Sequence, residues 1–229
     1  MPIQPGEVYR IQWPYEVAVE NDPYAIVLSE EKANDPYVVV VPLFTKDLAD
    51  SPSRLALPEE AIGRPAVAHA DKLTRLDVAN LVAREQGPVG TIDEELFFDL
   101  NLAVGEAIGA HFFPGEFETT WKPPGSNRPE RGTIWQAFWR DSKTVTRPGL
   151  VMSDGSGDDD HVILMPLISQ PLEEKGALPC CVDLGERVAR ADQVEVVRTQ
   201  QLREYEDRVD RATFEKACLA IAHVIGAEL

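Results

Sequence analysis

Pro5-Gly6-Glu7-Val8-Tyr9-Arg10-Ile11-Gln12-Trp13 returns later in the chain as Arg131-Gly132-Thr133-Ile134-Trp135-Gln136-Ala137-Phe138-Trp139. Each stretch is a glycine turn followed by the near-alternating pattern of a half-buried strand, closed by a Trp. Further pairs follow in the same order. Asp22-Pro23-Tyr24-Ala25-Ile26-Val27-Leu28-Ser29 returns, one residue shorter, as Arg147-Pro148-Gly149-Leu150-Val151-Met152-Ser153. Val38 to Leu43 returns as Val162 to Leu167, and Val67-Ala68-His69-Ala70-Asp71-Lys72-Leu73 as Val188-Ala189-Arg190-Ala191-Asp192-Gln193-Val194. Asp93 to Gly109 returns as Asp210 to Gly226. The offset drifts from 126 at Gly6/Gly132 to 117 at Gly109/Gly226. The drift falls between the blocks, where loops absorb insertions. The chain is therefore a tandem duplication.

Each copy predicts short strands followed by one helix. Phe97, Leu100, Val104 and Ile108 have helical spacing, as do Phe214, Leu219, Ile221 and Ile225, and Asp93 and Asp210 stand where N-caps belong. Between the copies, Phe113 to Pro129 is rich in Pro and Gly and lacks a period, which predicts a linker with Trp121 pinned on a domain surface. The expected organisation is a first domain over 1–112, a linker over 113–129 and a second domain over 130–229.

Hydrophobic residues make up 44% of the 229 and charged residues 27%, which suffices for a packed core and excludes a disordered chain. No apolar run nears the roughly 20 residues that span a bilayer. Met1 to Glu7 lacks the basic-then-apolar layout of a signal peptide, so a cytoplasmic protein is expected. Cys180, Cys181 and Cys218 suggest neither a disulfide framework nor zinc. No cofactor is implied. Asp158-Asp159-Asp160-His161 follows Gly155-Ser156-Gly157 and reads as a solvated turn rather than a metal site, because further oxygen ligands are missing.

The net charge of −17 weighs against polyanion binding, but it is uneven. Eight basic face nineteen acidic residues up to Gly115, and fourteen face twenty beyond it, leaving −11 and −6. Only the second copy has the cations to focus a local positive cleft.

Taken together these blocks resemble the MazF/PemK toxin family, over nearly the whole chain outside the linker. The second copy matches best, through Arg147-Pro148-Gly149-Leu150-Val151 and Arg190-Ala191-Asp192-Gln193-Val194. The first has Asp22 in place of the Arg, and His69 and Lys72 in place of Arg190 and Gln193. The resemblance implies a mainly β, α+β fold: two SH3-like β-barrel domains, each with a C-terminal helix, forming an intrachain pseudo-dimer. It also implies metal-independent cleavage of single-stranded RNA by attack of the ribose 2′-hydroxyl on phosphorus, and restraint by a small antitoxin protein.

That chemistry asks for a base, an acid, and donors on the phosphorane oxygens. Arg147 is the candidate for phosphorane stabilisation, Asp192 for base or proton shuttle, and Arg190 for holding phosphate or tuning Asp192 from the same face of a strand. Arg140, Lys143 and Gln193 are candidate RNA contacts. Structural roles stand beside these: the Asp recurs in the copy that lacks the Arg, as a turn residue also would, and Arg147 suits a solvated strand start. Two departures count against activity. Phe44 and Ile168 stand where active members carry Thr or Ser, with Thr45 and Ser169 one residue later, on the opposite face of a strand. The loops before Pro23 and Pro148 also lack the family's Gly-Ser-Glu-Gln type of sequence. Three readings stay open: an endoribonuclease with one half-site in the second copy, a catalytically lapsed binding module for protein or nucleic acid, and an analogue of the gyrase inhibitor CcdB.

Overall fold

The computed structural model describes residues 2–13, 23–31, 36–45, 49–82, 84–113, 116–119, 128–139, 144–154, 160–169 and 179–227. Asp22, Trp121, Arg140, Lys143, Asp158 and Asp159 lie outside the described residues.

The first half consists of β1 (Glu7–Arg10), β2 (Tyr24–Val27), β3 (Tyr37–Phe44), β4 (Arg54–Leu57), α1 (Glu59–Ile62), β5 (Ala66–His69), β6 (Thr74–Asp77), β7 (Gly90–Thr91) and α2 (Glu94–Ile108). A hairpin of β8 (Ala110–Phe113) and β9 (Glu116–Thr119) follows. The second half consists of β10 (Thr133–Phe138), β11 (Thr146–Val151), β12 (His161–Ile168), β13 (Cys181–Asp183), β14 (Val188–Arg190), β15 (Glu195–Arg198), β16 (Leu202–Arg208) and α3 (Arg211–Val224). The start of the expected linker is thus ordered: Glu116–Thr119 pairs back onto the strand that leaves α2.

The two sheets have one topology. Strand order is β4-β5-β3-β2-β1-β7 in the first and β13-β14-β12-β11-β10-β16 in the second, with β6 on β3 and β15 on β12. The long central strand curls each sheet by serving two partners in turn. Tyr37 to Val40 pairs with β6, and Leu43 and Phe44 pair with β5. His161 to Leu164 pairs with β15, and Leu167 and Ile168 pair with β14. Pro42 and Pro166 stand at the break, where a residue that cannot donate to a ladder is tolerated. Gly6 and Gly132 open the halves at φ 85° and 83°, a turn geometry that side chains with a Cβ rarely adopt.

Both faces of each central strand are buried, which accounts for the unbroken apolar runs Val38–Leu43 and Val162–Leu167. One face of each sheet contributes to a single core shared by the halves: Val39, Val41 and Leu43 join Ile163, Met165 and Leu167, with Leu100, Val104, Phe214 and Ile221 from the helices. The other face has its own cluster, Tyr9, Val27, Val38 and Val40 in the first half and Trp139, Val151, Val162 and Leu164 in the second. The helices begin at caps legible in the sequence: Asp93 accepts from Leu96 N at 2.9 Å and Asp210 from Thr213 N at 2.8 Å.

Polar contacts also cross between the halves. Arg75 N donates to Val194 O at 2.8 Å, and Arg75 Nε lies 3.4 Å from the buried Glu195 carboxylate. Arg131 Nη2 donates to Glu106 O and Ala107 O at 3.3 and 3.4 Å, at the C-terminus of α2. Among the described residues, no helix is long and apolar enough to cross a membrane.

Candidate functional site

Arg147 lies on β11, paired with Ala137 of β10. Its guanidinium sits 5.7 Å from the ring centroid of Trp139, whose indole N–H donates to Arg147 O at 2.9 Å. Trp139 is itself buried, so Arg147 rests on a fixed aromatic shelf with its side chain partly exposed. Gly149 makes the shelf possible: a Cβ there would stand 2.7 Å from Trp139 Cζ2.

Arg190 ends β14, and Asp192 falls in the 3-10 turn Ala191–Gln193 that follows. The expectation that both lie along one strand is therefore corrected. The turn, instead of alternation, brings the carboxylate back to the guanidinium. The pair is bidentate, Arg190 Nε to Asp192 Oδ1 at 2.8 Å and Nη2 to Oδ2 at 2.5 Å. Hydrogen bonding to Asp192 is the main cause that pushes the Arg190 pKa up, against the opposing effect of burial. Gln193 closes the turn, half-buried.

The register relates these groups. Gly149 opposes Pro166 and Ile168 opposes Val188. By strand alternation Arg147, Ile168 and Arg190 therefore share one face, with Arg147 and Arg190 on opposite flanks of β12. Ile168 occupies the position between them; Ser169 is exposed beyond the strand end. A further cation was not anticipated from the sequence. Arg203 on β16 stacks 4.6 Å from the Phe138 ring, and Leu202 pairs with Ala137, the same residue that Arg147 opposes. Arg147 and Arg203 thus stand at one end of β10, on its two sides. Only the long-range pairing of β10 with β16 brings this about.

The corresponding region of the first half is packed shut. His69 is 0% exposed, its ring 4.1 Å from that of Phe44, and Lys72 Nζ lies 4.8 Å over Phe44. Asp71 forms an ion pair with Arg54, Oδ2 to Nε 3.6 Å, and its Oδ1 lies 3.8 Å from His69 Nδ1. In the loop considered for a metal, Asp160 accepts from the Thr199 hydroxyl and the Thr199 amide donates to Asp160 O at 2.8 Å, which ties β12 to the turn after β15.

Comparison with known proteins returns one family model, described as PemK-like, MazF-like toxin of type II toxin-antitoxin system, which matches residues 4–108 and again 130–225. Similar solved structures include a mycobacterial endoribonuclease in complex with its cognate antitoxin, 22% identical over 43% of this chain and 95% of that one, with a TM-score of 0.38. MazE-MazF from Deinococcus radiodurans is 20% identical over 43% and 96%, TM-score 0.36. The Mycobacterium tuberculosis toxin MazF-mt6 is 16% identical over 44% and 93%, TM-score 0.33. No curated protein matches.

Proposed function

The chain belongs to the PemK-like, MazF-like toxin family of type II toxin–antitoxin systems, and from that premise we propose that it is a metal-independent endoribonuclease with one working half-site, in its second half. The units are 1–112 and 130–229, joined through 113–129, and the fused pair stands in for the family's two-fold dimer. In the reaction, the 2′-hydroxyl of a single-stranded RNA attacks the adjacent phosphorus, its proton passing to water, and the 5′-oxygen of the next nucleotide departs, taking a proton from water. Negative charge gathers on the non-bridging oxygens on the way.

Arg147, held on Trp139 and partly exposed, donates to those oxygens. Arg190 holds the flanking phosphate with the N–H groups that Asp192 does not engage. Asp192 acts as a positioning residue: proton transfer by its carboxylate would first require breaking a bidentate pair. Arg203, with Arg140, Lys143 and Gln193, grips the RNA backbone. The observation that carries the reading is the common face of Arg147 and Arg190 in a half whose counterpart is filled by Phe44 and His69. The site of action is the cytoplasm. A small antitoxin restrains the protein by docking on the second half, since the first, at −11, repels an acidic tail.

The test is incubation of the chain with mixed single-stranded RNA in EDTA. Cleavage to 2′,3′-cyclic phosphate ends is expected, with a loss of at least about 100-fold in Arg147→Ala, the cost of deleting a transition-state donor. Undiminished cleavage by Arg147→Ala would move the site elsewhere. A second reading, a lapsed module that binds RNA without cutting it, is favoured by Ile168 at the hydroxyl position and by the capture of both Asp192 oxygens. It predicts binding without products.

A further inference from the structure

The duplication places two related clefts between the halves, and they are not filled alike. In one, Arg131 of the second half reaches the C-terminus of α2. It donates to Glu106 O and Ala107 O, and its Nε lies 3.2 Å from Asp154 Oδ2. By the offsets of the repeat, Arg131 corresponds to Pro5, Asp154 to Glu30, and Glu106 and Ala107 to His223 and Val224. The local frame is kept: Val39 N donates to Ser29 Oγ at 2.8 Å, and Ile163 N to Ser153 Oγ at 2.8 Å. The corresponding cleft is open. It is a cavity of about 310 Å3 lined by Pro5, Glu30, Tyr37, Asp192, His223 and Val224, among others.

We propose that this open cleft binds an arginine side chain presented by a partner protein, occupying the place that Arg131 fills in its twin. Three features match a guanidinium. Glu30 is exposed and, among the described residues, makes no ion pair, whereas its counterpart Asp154 is the carboxylate that Arg131 meets. The C-terminus of α3 brings the negative end of the helix dipole, and the lining residues His223 and Val224 are the counterparts of Glu106 and Ala107, whose carbonyls Arg131 engages. Proline at position 5 lacks the guanidinium with which Arg131 meets the helix end in the twin, while the carboxylate and the helix end remain. Arg75, over the ring of the lining Tyr37, pairs with Glu195 at 3.4 Å, Arg190 pairs with the lining Asp192 at 2.5 Å, and the basic lining residue His223 is exposed to solvent. A protein of net charge −17 also draws basic partners. The twin cleft receives its guanidinium as a side chain from a chain segment, and that delivery distinguishes a partner protein from a free amine. The cleft shares Asp192 with the proposed RNA site, but the guanidinium it takes meets Glu30 and the end of α3 and needs no step of RNA cleavage.

The experiment is an NMR titration of the full chain with Nα-acetyl-arginine methylamide, with the matched citrulline and lysine compounds and agmatine as further arms. Saturable shifts are expected at Ser29, Glu30, Tyr37 and Val224 to Gly226. The arginine compound should bind more tightly than the lysine compound and at least as tightly as agmatine, with citrulline silent. Glu30→Gln should weaken binding about twofold, and Pro5→Arg, which supplies the missing side chain in cis, should abolish it. Arg131→Ala should open a second site, seen as new shifts near Asp154 and Ala107. Equal binding of citrulline or lysine, preference for agmatine alone, or unchanged affinity in Glu30→Gln with the fold intact would overturn the assignment.

Discussion

Arg131→Ala removes a side chain that ties the second half to the end of α2, and its cost follows from what that side chain touches. Its two hydrogen bonds to Glu106 O and Ala107 O are long, 3.3 and 3.4 Å, so each is worth about 1 kcal/mol at most, below the usual range for a charged donor. The side chain is 21% exposed, so loss of the packed stem adds about 1 kcal/mol. The pair with Asp154, whose side chain is 56% exposed, adds at most a few tenths of a kcal/mol. The sum is about 2–3 kcal/mol, or a fall in Tm of roughly 4–12 °C for a chain of this length. Asp154→Ala removes the exposed pair and the bond that Arg131 N donates to Asp154 Oδ1 at 3.1 Å, about 1 kcal/mol in all, and should shift Tm by no more than about 4 °C. Thermal unfolding followed by circular dichroism, with both variants side by side, separates the two contributions. If Arg131→Ala costs no more than Asp154→Ala, the bridge to the helix carbonyls contributes nothing and the contrast between the clefts loses its energetic basis.

Other outcomes follow from the same geometry. Gly149→Ala should destabilise the second half by about 1–3 kcal/mol, because the new Cβ meets the Trp139 ring at 2.7 Å, and urea unfolding with tryptophan fluorescence would register it. Glu206 is partly buried, which alone raises its pKa, but hydrogen bonds from Arg187 and Gln136 prevail and hold it below the ordinary glutamate value of 4.5. Its stabilisation is therefore complete above that value and is lost as pH falls through the depressed folded value. Glu206→Gln should flatten the acid limb of a stability–pH curve, and an unchanged limb would refute the assignment. Burial pushes the Cys218 thiol far up, so a thiol reagent at pH 8 should label the half-buried Cys181 while Cys218 waits for unfolding. Arg203→Ala should weaken RNA binding for all sequences alike and reduce the salt slope by about one, whereas loss for a single sequence would contradict a phosphate contact.

Much of the fold was legible because it is local. Period-2 runs, the Asp93 and Asp210 caps and the recurring glycine turns each act within a few residues, and the five-block repeat then fixed the architecture. What pairs with what was less accessible. The central strand passes from one partner to another at Pro42 and Pro166, and nothing in Val38–Leu43 taken alone announces that change. The candidate site was half visible for the same reason. Arg147, Arg190 and Asp192 could be named, but the turn that locks Asp192 onto Arg190 changes what the carboxylate can do. Arg203 comes to the Arg147 end of β10 only through a pairing some sixty-five residues away. Arg131 looked like a turn residue beside Gly132, and its role depends on the helix end of the other half.

The central claim, a single RNA-cleaving half-site on Arg147, is met most directly by single-turnover cleavage of mixed single-stranded RNA in EDTA by four proteins: the unaltered chain, Arg147→Ala, Arg190→Ala and His69→Ala. Expected are 2′,3′-cyclic ends from the unaltered chain, rates reduced at least about 100-fold by Arg147→Ala and about tenfold or more by Arg190→Ala, and a folded His69→Ala that still cuts. Full activity in folded Arg147→Ala, or no cleavage by the unaltered chain on any RNA, would contradict it.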